Sequence, residues 1–169
     1  MIRNLLLAAA ASVSFAACST INDMGAPMSA AAMPLDARGY TAMAASSDMF
    51  EIESSRLALQ RSRSPLLRMH AEMMIRDHTN LGAQLRAAAG NVGIGVPAQM
   101  LPMHAAMLDE LARSPNFDTT YRSQQVTSHR QALTLMDRYA RRGDVPQLRG
   151  VAAAAVPVIR GHLDHSLRI

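Results

Sequence analysis

The sequence predicts an all-α protein, a four-helix bundle with a short extra helix in its central connection. Apolar residues recur at intervals of three and four along four segments, which is the spacing of one helix face. No segment shows the alternation of apolar and polar residues that is typical of a half-buried strand. Long helices with short connections pack as a bundle, so the four segments are expected to share one core.

The first two helices form a predicted hairpin. Asp48 can cap the first helix, Glu51 at its third position completes a reciprocal capping arrangement, and the helix runs to about Arg63. The Ser-Pro pair at 64–65 begins the second helix, which stops at Gly90. The apolar face of the second helix consists of Leu67, Ala71, Met74, His78, Leu81, Leu85 and Ala88.

A glycine-rich connection, 91–97, and a short predicted helix, 102–113, follow the first hairpin. After them the sequence predicts a second hairpin of two long helices. A third long helix follows the Ser-Pro pair at 114–115 and ends at Gly143. A fourth helix begins near Pro146. The apolar face of the third helix is Val126, His129, Leu133, Met136 and Ala140; that of the fourth is Leu148, Val151, Ala155, Val158, Ile159, His162 and Ile169.

The N-terminal residues predict export and lipidation. Arg3 precedes an apolar run of about thirteen residues, which is too short for a bilayer that needs roughly twenty. Small alanines at 16–17 precede Cys18, as at a bacterial lipoprotein cleavage site. The alternative is an ordinary secretory signal with an incidental thiol, but a single unpaired cysteine in an exported protein needs an explanation. We therefore expect residues 1–17 to be a lipoprotein signal peptide.

The signal peptide is the first of three expected parts of the chain. Residues 18–46 are the expected lipidated cysteine and a flexible linker, rich in Ala, Ser, Met, Gly and Pro and without a sustained period. Residues 47–169 are the expected bundle domain. Ser19, rather than aspartate, follows Cys18, and this is typical of lipoproteins sent to the outer membrane. The expected partner is therefore the membrane, reached through Cys18, and the expected location is the cell envelope, facing the periplasm.

The composition argues against several classes of function. Seventeen arginines and no lysine against thirteen acidic residues give a net charge of only +4. The arginines are scattered, with three Phe, three Tyr and no Trp, so no nucleic-acid partner is expected. No glycine elbow frames a serine, and the only cysteine is assigned to the anchor, so the sequence favours a protein that is not an enzyme.

Histidines on the apolar faces are the most informative feature of the predicted domain. His78, His129 and His162 each lie near the middle of a helix, and Glu51 is the matching polar residue of the first helix. Glu51 lies thirteen residues before Ser64 and His78 fourteen after it, so both are roughly 20 Å from the turn. We therefore expect the four side chains to converge.

The residues that carry a resemblance to a known family lie between Asp48 and the C-terminus. They are Glu51-Ile52-Glu53 with Leu57-Ala58-Leu59, Asp77-His78, Phe117-Asp118 with Tyr121 and His129, and Pro157 with His162. With these motifs the chain resembles the bacterial domain-of-unknown-function family 4142 of the ferritin-like superfamily. The resemblance implies an exported, often lipid-anchored helical bundle of unestablished activity. A di-iron centre is not expected, because the chain has no Glu-x-x-His and its third and fourth long helices lack glutamate.

Two interpretations of the histidines remain open. The one that the sequence favours is a structural hydrogen-bonded layer without a cofactor, in which polar partners satisfy the imidazoles and specify the helix register. The alternative is one transition-metal ion, such as zinc, copper, nickel or iron, in an envelope metal or stress protein. The candidate metal ligands are Glu51, His78, His129 and His162. The candidates that would hydrogen-bond these ligands, and so orient them, are Asp77, Asp118, Tyr121, Gln125 and His165.

Methionines form two further candidate groups. Thioethers are ligands for Cu(I), although the same spacing also describes an apolar helix face, and methionine is a common core filler. Met69 and Met73 are candidates for an apolar patch that meets a protein partner, although core packing explains them equally well. The candidate Cu(I) group is Met100, Met103, His104 and Met107.

Overall fold

The structure is a computed structural model that describes residue 31 and residues 33–169, and it confirms the predicted fold class. The described residues contain no strand, and no helix among them is long and apolar enough to cross a lipid bilayer. The predicted signal peptide and Cys18 lie outside the described residues, so export and lipidation stay predictions. The helices are α1 (Ala37–Arg61), α2 (Pro65–Asn91), α3 (Pro102–Arg113), α4 (Phe117–Arg142) and α5 (Pro146–Ser166).

The four long helices pack as two hairpins, α1 with α2 and α4 with α5. The hairpins meet through α1 against α4 and α2 against α5, and α3 lies over α1 and α4. Tyr40 stacks on Tyr139 at 3.8 Å between ring centroids, while Ser55 hydrogen-bonds Tyr121, so α1 and α4 are antiparallel. The chain therefore crosses the length of the bundle between α2 and α4, and α3 is the extra helix predicted in that connection.

The start of α1 differs from the prediction. The helix begins at Ala37 rather than at Asp48, so the predicted linker, 18–46, overlaps α1 from residue 37. Asp36 is the cap, and its carboxylate accepts a hydrogen bond of 2.8 Å from the Gly39 N–H. A Cβ at Gly39 would lie 2.9 Å from the Asp36 carboxylate, so glycine suits this turn. The pattern was hard to read because the buried face here consists largely of small residues.

Other boundaries follow the predicted chemistry. The Ser64 side chain accepts from the Leu67 N–H at 3.4 Å, and Pro65 occupies the first turn of α2. Gly143 ends α4, and a Cβ there would lie 2.5 Å from the Tyr139 ring. These contacts explain why a serine-proline pair and a glycine stand at the two positions.

The interior consists of two apolar clusters with polar residues between them. One cluster surrounds the Tyr40–Tyr139 stack, and the other contains Leu67, Phe117 and Tyr121. Between them, along every long helix, lie buried polar side chains that we call the polar layer. The polar layer consists of Asp48, Glu51, His70, His78, Gln125, Ser128, His129 and His162, all buried.

Candidate metal centre

Three imidazoles meet in the polar layer, one each from α2, α4 and α5. His78, His129 and His162 are 0–3% exposed, and their ring centroids are 5.2–5.6 Å apart. One ring nitrogen of each lies within 4.8 Å of the others. The structure therefore brings together the three histidines that the sequence pattern was expected to make converge. We call them the trihistidine cluster.

Each imidazole of the trihistidine cluster uses one ring nitrogen in a hydrogen bond. The pairs are His78 Nδ1 with Asp48 Oδ1 at 2.8 Å, His129 Nδ1 with the Gln125 carbonyl at 2.7 Å, and His162 Nε2 with Asp77 Oδ2 at 3.0 Å. The second nitrogen of each ring is buried and has no hydrogen-bond partner among the described residues. These free atoms are His78 Nε2, His129 Nε2 and His162 Nδ1.

The hydrogen-bond partners of His129 and His162 determine which nitrogen of each ring carries the proton. The Gln125 carbonyl can only accept, so His129 donates from Nδ1, and the tautomer with its proton there has a bare lone pair on Nε2. Burial raises the pKa of Asp77, but hydrogen bonds from His162 and Arg76 outweigh it, so the pKa is lowered overall. Asp77 is thus a carboxylate that accepts from His162 Nε2, which leaves Nδ1 of His162 as a second lone pair.

Burial keeps the imidazoles neutral. It lowers the pKa of both His78 and His162 to about 4, so both rings are uncharged at pH 7. Burial raises the pKa of Asp48 well above its ordinary value, and nearby Arg86 opposes this shift. A proton therefore lies in the hydrogen bond between Asp48 and His78. Neutral imidazole is the form that binds a metal ion.

Glu51, the fourth predicted ligand, lies beside the trihistidine cluster but outside it. Its Oε2 accepts from the Gln125 side chain at 2.6 Å, and its Oε1 accepts from the Ser128 hydroxyl. Oε1 is 3.7 Å from Nδ1 of His129 and therefore lies on the side of that ring that is already hydrogen-bonded. Glu51 thus joins α1 to α4.

Some of the predicted partner residues contact the candidate ligands, and others do not. Asp77 contacts His162, and Gln125 contacts both His129 and Glu51. Asp118 lies in the first turn of α4 and makes no hydrogen bond to the polar layer in the described part of the chain. Asp118 is therefore not placed to orient a ligand.

Tyr121 and His165 belong to neighbouring contacts. The Tyr121 hydroxyl hydrogen-bonds Ser55 at 2.9 Å. His165 stacks on His70 with Nδ1 atoms 2.8 Å apart, and His70 Nε2 bonds the Gln125 side chain at 2.9 Å. Both ring nitrogens of His70 are therefore satisfied, in contrast to those of the trihistidine cluster.

Three residues of the polar layer, Asp48, His70 and Ser128, were missed at the level of sequence, and two of them left a signal there. Asp48 was assigned to a helix cap, although it precedes Glu51 by three residues and so shares its helix face. His70 precedes Met74 and His78 at intervals of four, which is also the spacing of one face. Both signals were present in the sequence.

An all-helical bundle with three convergent buried imidazoles defines a class of protein with a candidate metal centre in its core. The chain belongs to the family described as domain of unknown function (DUF4142), whose model matches residues 23–169. This confirms the family that the sequence motifs indicated.

Solved structures share this fold. CopM in its Cu(II)-bound form aligns with a TM-score of 0.68 at 20% identity, covering 80% of this chain and 96% of CopM. CopM in its Ag-bound form, obtained by co-crystallization, aligns with a TM-score of 0.66 at 19% identity, covering 80% and 95%. At this identity the likeness shows the fold alone. No curated protein matches the chain.

Proposed function

We propose that this protein binds one transition-metal ion through His78, His129 and His162. The observation that carries the proposal has two parts: each of the three rings has one buried nitrogen without a partner among the described residues, and one ring nitrogen of each lies within 4.8 Å of the others. Leaving one buried polar atom unsatisfied costs about 1–3 kcal/mol. Three such atoms in one place indicate a ligand-binding role for the trihistidine cluster.

A cation suits these atoms better than further hydrogen bonding among the rings. The free nitrogens of His129 and His162 are both lone pairs, so neither can donate to the other. A metal ion accepts lone pairs from several nitrogens at once. Nitrogens bound at about 2.1 Å in tetrahedral geometry lie about 3.4 Å apart, so nitrogens within 4.8 Å of one another need to approach by at most about 1.4 Å.

The outer hydrogen bonds match those around metal-binding histidines. Such ligands commonly donate their second N–H to a carboxylate or a backbone carbonyl, which fixes the ring and raises its basicity. Asp48, Asp77 and the Gln125 carbonyl are in these positions. Asp77, which is a carboxylate, and nearby Glu51 also offer the negative charge that a buried cation needs.

Copper is the first metal to test. Imidazole suits zinc, copper, iron and nickel, so the ligand set alone leaves several ions open. The two structures that share this fold hold Cu(II) and Ag, and this supports copper for the present chain.

We expect about one transition-metal ion per chain in protein purified without a His tag, measured by elemental analysis after loading with Cu(II) or Zn(II). The full chain should carry Cys18→Ser, since a free thiol binds metal itself. His78→Ala with His129→Ala should abolish binding. His70→Ala is the matched control, because His70 is equally buried but lies outside the trihistidine cluster, and it should retain the ion. Unchanged metal content in the double variant would exclude the proposed site.

Asp48→Asn should weaken metal affinity about 10–100-fold, as loss of an outer hydrogen-bond partner typically does. Asparagine keeps the shape of the side chain but removes the carboxylate that faces His78. Competition with a chelator of known affinity measures the change. Asp118→Asn, which alters an aspartate away from the polar layer, should have no effect, and equal effects of the two substitutions would contradict the role of Asp48.

A further inference from the structure

A small cavity lies between α1, α3 and α4, on the α1 and α4 side of the polar layer. Its volume is about 10 Å³, close to the smallest space that one water molecule needs. Three methionines line it: Met33, which precedes α1, Met43 from α1 and Met103 from α3. Met33 is buried, whereas Met43 and Met103 are half-buried, so the cavity lies near the surface. Three separate segments thus bring methionine side chains to one small cavity.

We propose that Met33, Met43 and Met103 form a second metal site, which binds one soft monovalent cation of the Cu(I) or Ag(I) type. Thioether sulfur is an uncharged, polarisable ligand that selects Cu(I) over harder ions. No carboxylate lines the cavity, so a divalent ion would find no compensating charge there. The ligand chemistry therefore differs from that of the trihistidine cluster, and the inference does not depend on the proposed function.

His104 organises the wall of this cavity. The Ser46 hydroxyl oxygen accepts from the Leu101 N–H at 2.7 Å, so its own proton is free to be donated to His104 Nδ1 at 2.6 Å. These two bonds attach the start of α3 to α1 and hold Met103 over the cavity.

The cavity and the trihistidine cluster are neighbours. Ser128 lines the cavity and donates to Glu51, whose Oε1 lies 3.7 Å from His129. One serine therefore separates a thioether site from an imidazole site. The Cu(I) group predicted from the sequence does not lie together at this cavity. Met103 and His104 line the cavity, whereas Met100 and Met107 do not.

The test is a titration of the full chain carrying Cys18→Ser with Ag(I) against a competing chelator, read as equivalents bound per chain. Met33→Leu with Met43→Leu and Met103→Leu keeps approximate side-chain volume and should lose one equivalent. The matched control is Met69→Leu with Met73→Leu and Met107→Leu, methionines that do not line the cavity, and it should lose none. Zn(II) binding, which reports on imidazoles rather than thioethers, should be unchanged in both variants.

The possible results separate the two proposed sites. An unchanged number of Ag(I) equivalents in the cavity variant overturns the thioether site and leaves the trihistidine proposal intact. Absence of both Cu(II) and Zn(II) binding, with Ag(I) binding that depends on the three methionines, overturns the proposed function alone. If the triple variant does not fold, Met103→Leu, at a half-buried position, takes its place: weaker Ag(I) binding supports the site and unchanged affinity overturns it.

Discussion

His129→Leu should abolish the stabilisation that metal gives while leaving the metal-free protein at least as stable as the parent. Among the described residues, the His129 ring hydrogen-bonds only the Gln125 carbonyl one turn earlier in α4, and its Nε2 has no partner. Leucine fills similar space without a polar atom to bury. At a metal concentration 1,000 times its Kd, the parent should gain about 4 kcal/mol of unfolding free energy, and the variant should gain none. Urea unfolding with chelator and with metal measures both values.

His70→Leu is the control for this experiment. His70 is as buried as His129, but both of its ring nitrogens are hydrogen-bonded, to His165 and Gln125. Its loss should cost the metal-free protein about 1–3 kcal/mol and leave the gain from metal in place. An equal loss in metal-free His129→Leu would show that the trihistidine cluster is structural, as the favoured sequence interpretation held.

The sequence predicted the fold well where a boundary has its own chemistry. Ser64, Pro65 and Gly143 act through local hydrogen bonds and steric contacts, so their positions were readable without the tertiary structure. The start of α1 was not readable, because its buried face from Ala37 to Ala45 consists mainly of small residues. Such a face gains its stability from close approach of helices, which a hydrophobic pattern does not report.

The candidate site was predictable as a level in the bundle but not in its contacts. A rise of 1.5 Å per residue sufficed to place Glu51 and His78 at one level, whereas the same count, fifteen residues before Asp144 and eighteen after it, left His129 and His162 about one turn apart. The choice between Asp48 and Glu51 as the partner of a histidine depends on helix rotation and side-chain rotamers. Because α1 was expected to begin at Asp48, this aspartate was assigned to the cap, and its contact with His78 was missed.

The polar layer has two parts with different hydrogen bonding. Around Glu51 the side chains of Gln125, Ser128 and His70 are linked in a network that joins α1, α2 and α4. In the trihistidine cluster, by contrast, every ring has one buried nitrogen without a partner. The structural and the metal-binding interpretations of the sequence therefore describe different atoms of one layer, and they are testable by separate substitutions.

Glu51→Ala should destabilise the metal-free protein by about 1–3 kcal/mol, because two buried donors lose a carboxylate acceptor and keep only longer hydrogen bonds, to the Ser54 hydroxyl at 3.4 Å and to the Gln125 carbonyl at 3.2 Å. These donors are the Gln125 amide and the Ser128 hydroxyl. Urea unfolding in the presence of chelator measures the loss. Glu53→Ala is the matched control, since Glu53 is on the same helix but is 43% exposed and pairs only with Arg56 at the surface. That substitution should change the unfolding free energy by less than about 0.5 kcal/mol.

Metal content of the Glu51→Ala protein separates stability from ligation. Glu51 faces the hydrogen-bonded side of His129, so a folded variant should still bind one ion, with reduced affinity because a buried negative charge is lost. Complete loss of metal from a folded variant would make Glu51 a ligand, as the four-residue set from the sequence proposed. A stability loss equal to that of Glu53→Ala would instead mean that Gln125 and Ser128 find other acceptors, and the bridge between α1 and α4 would not depend on this carboxylate.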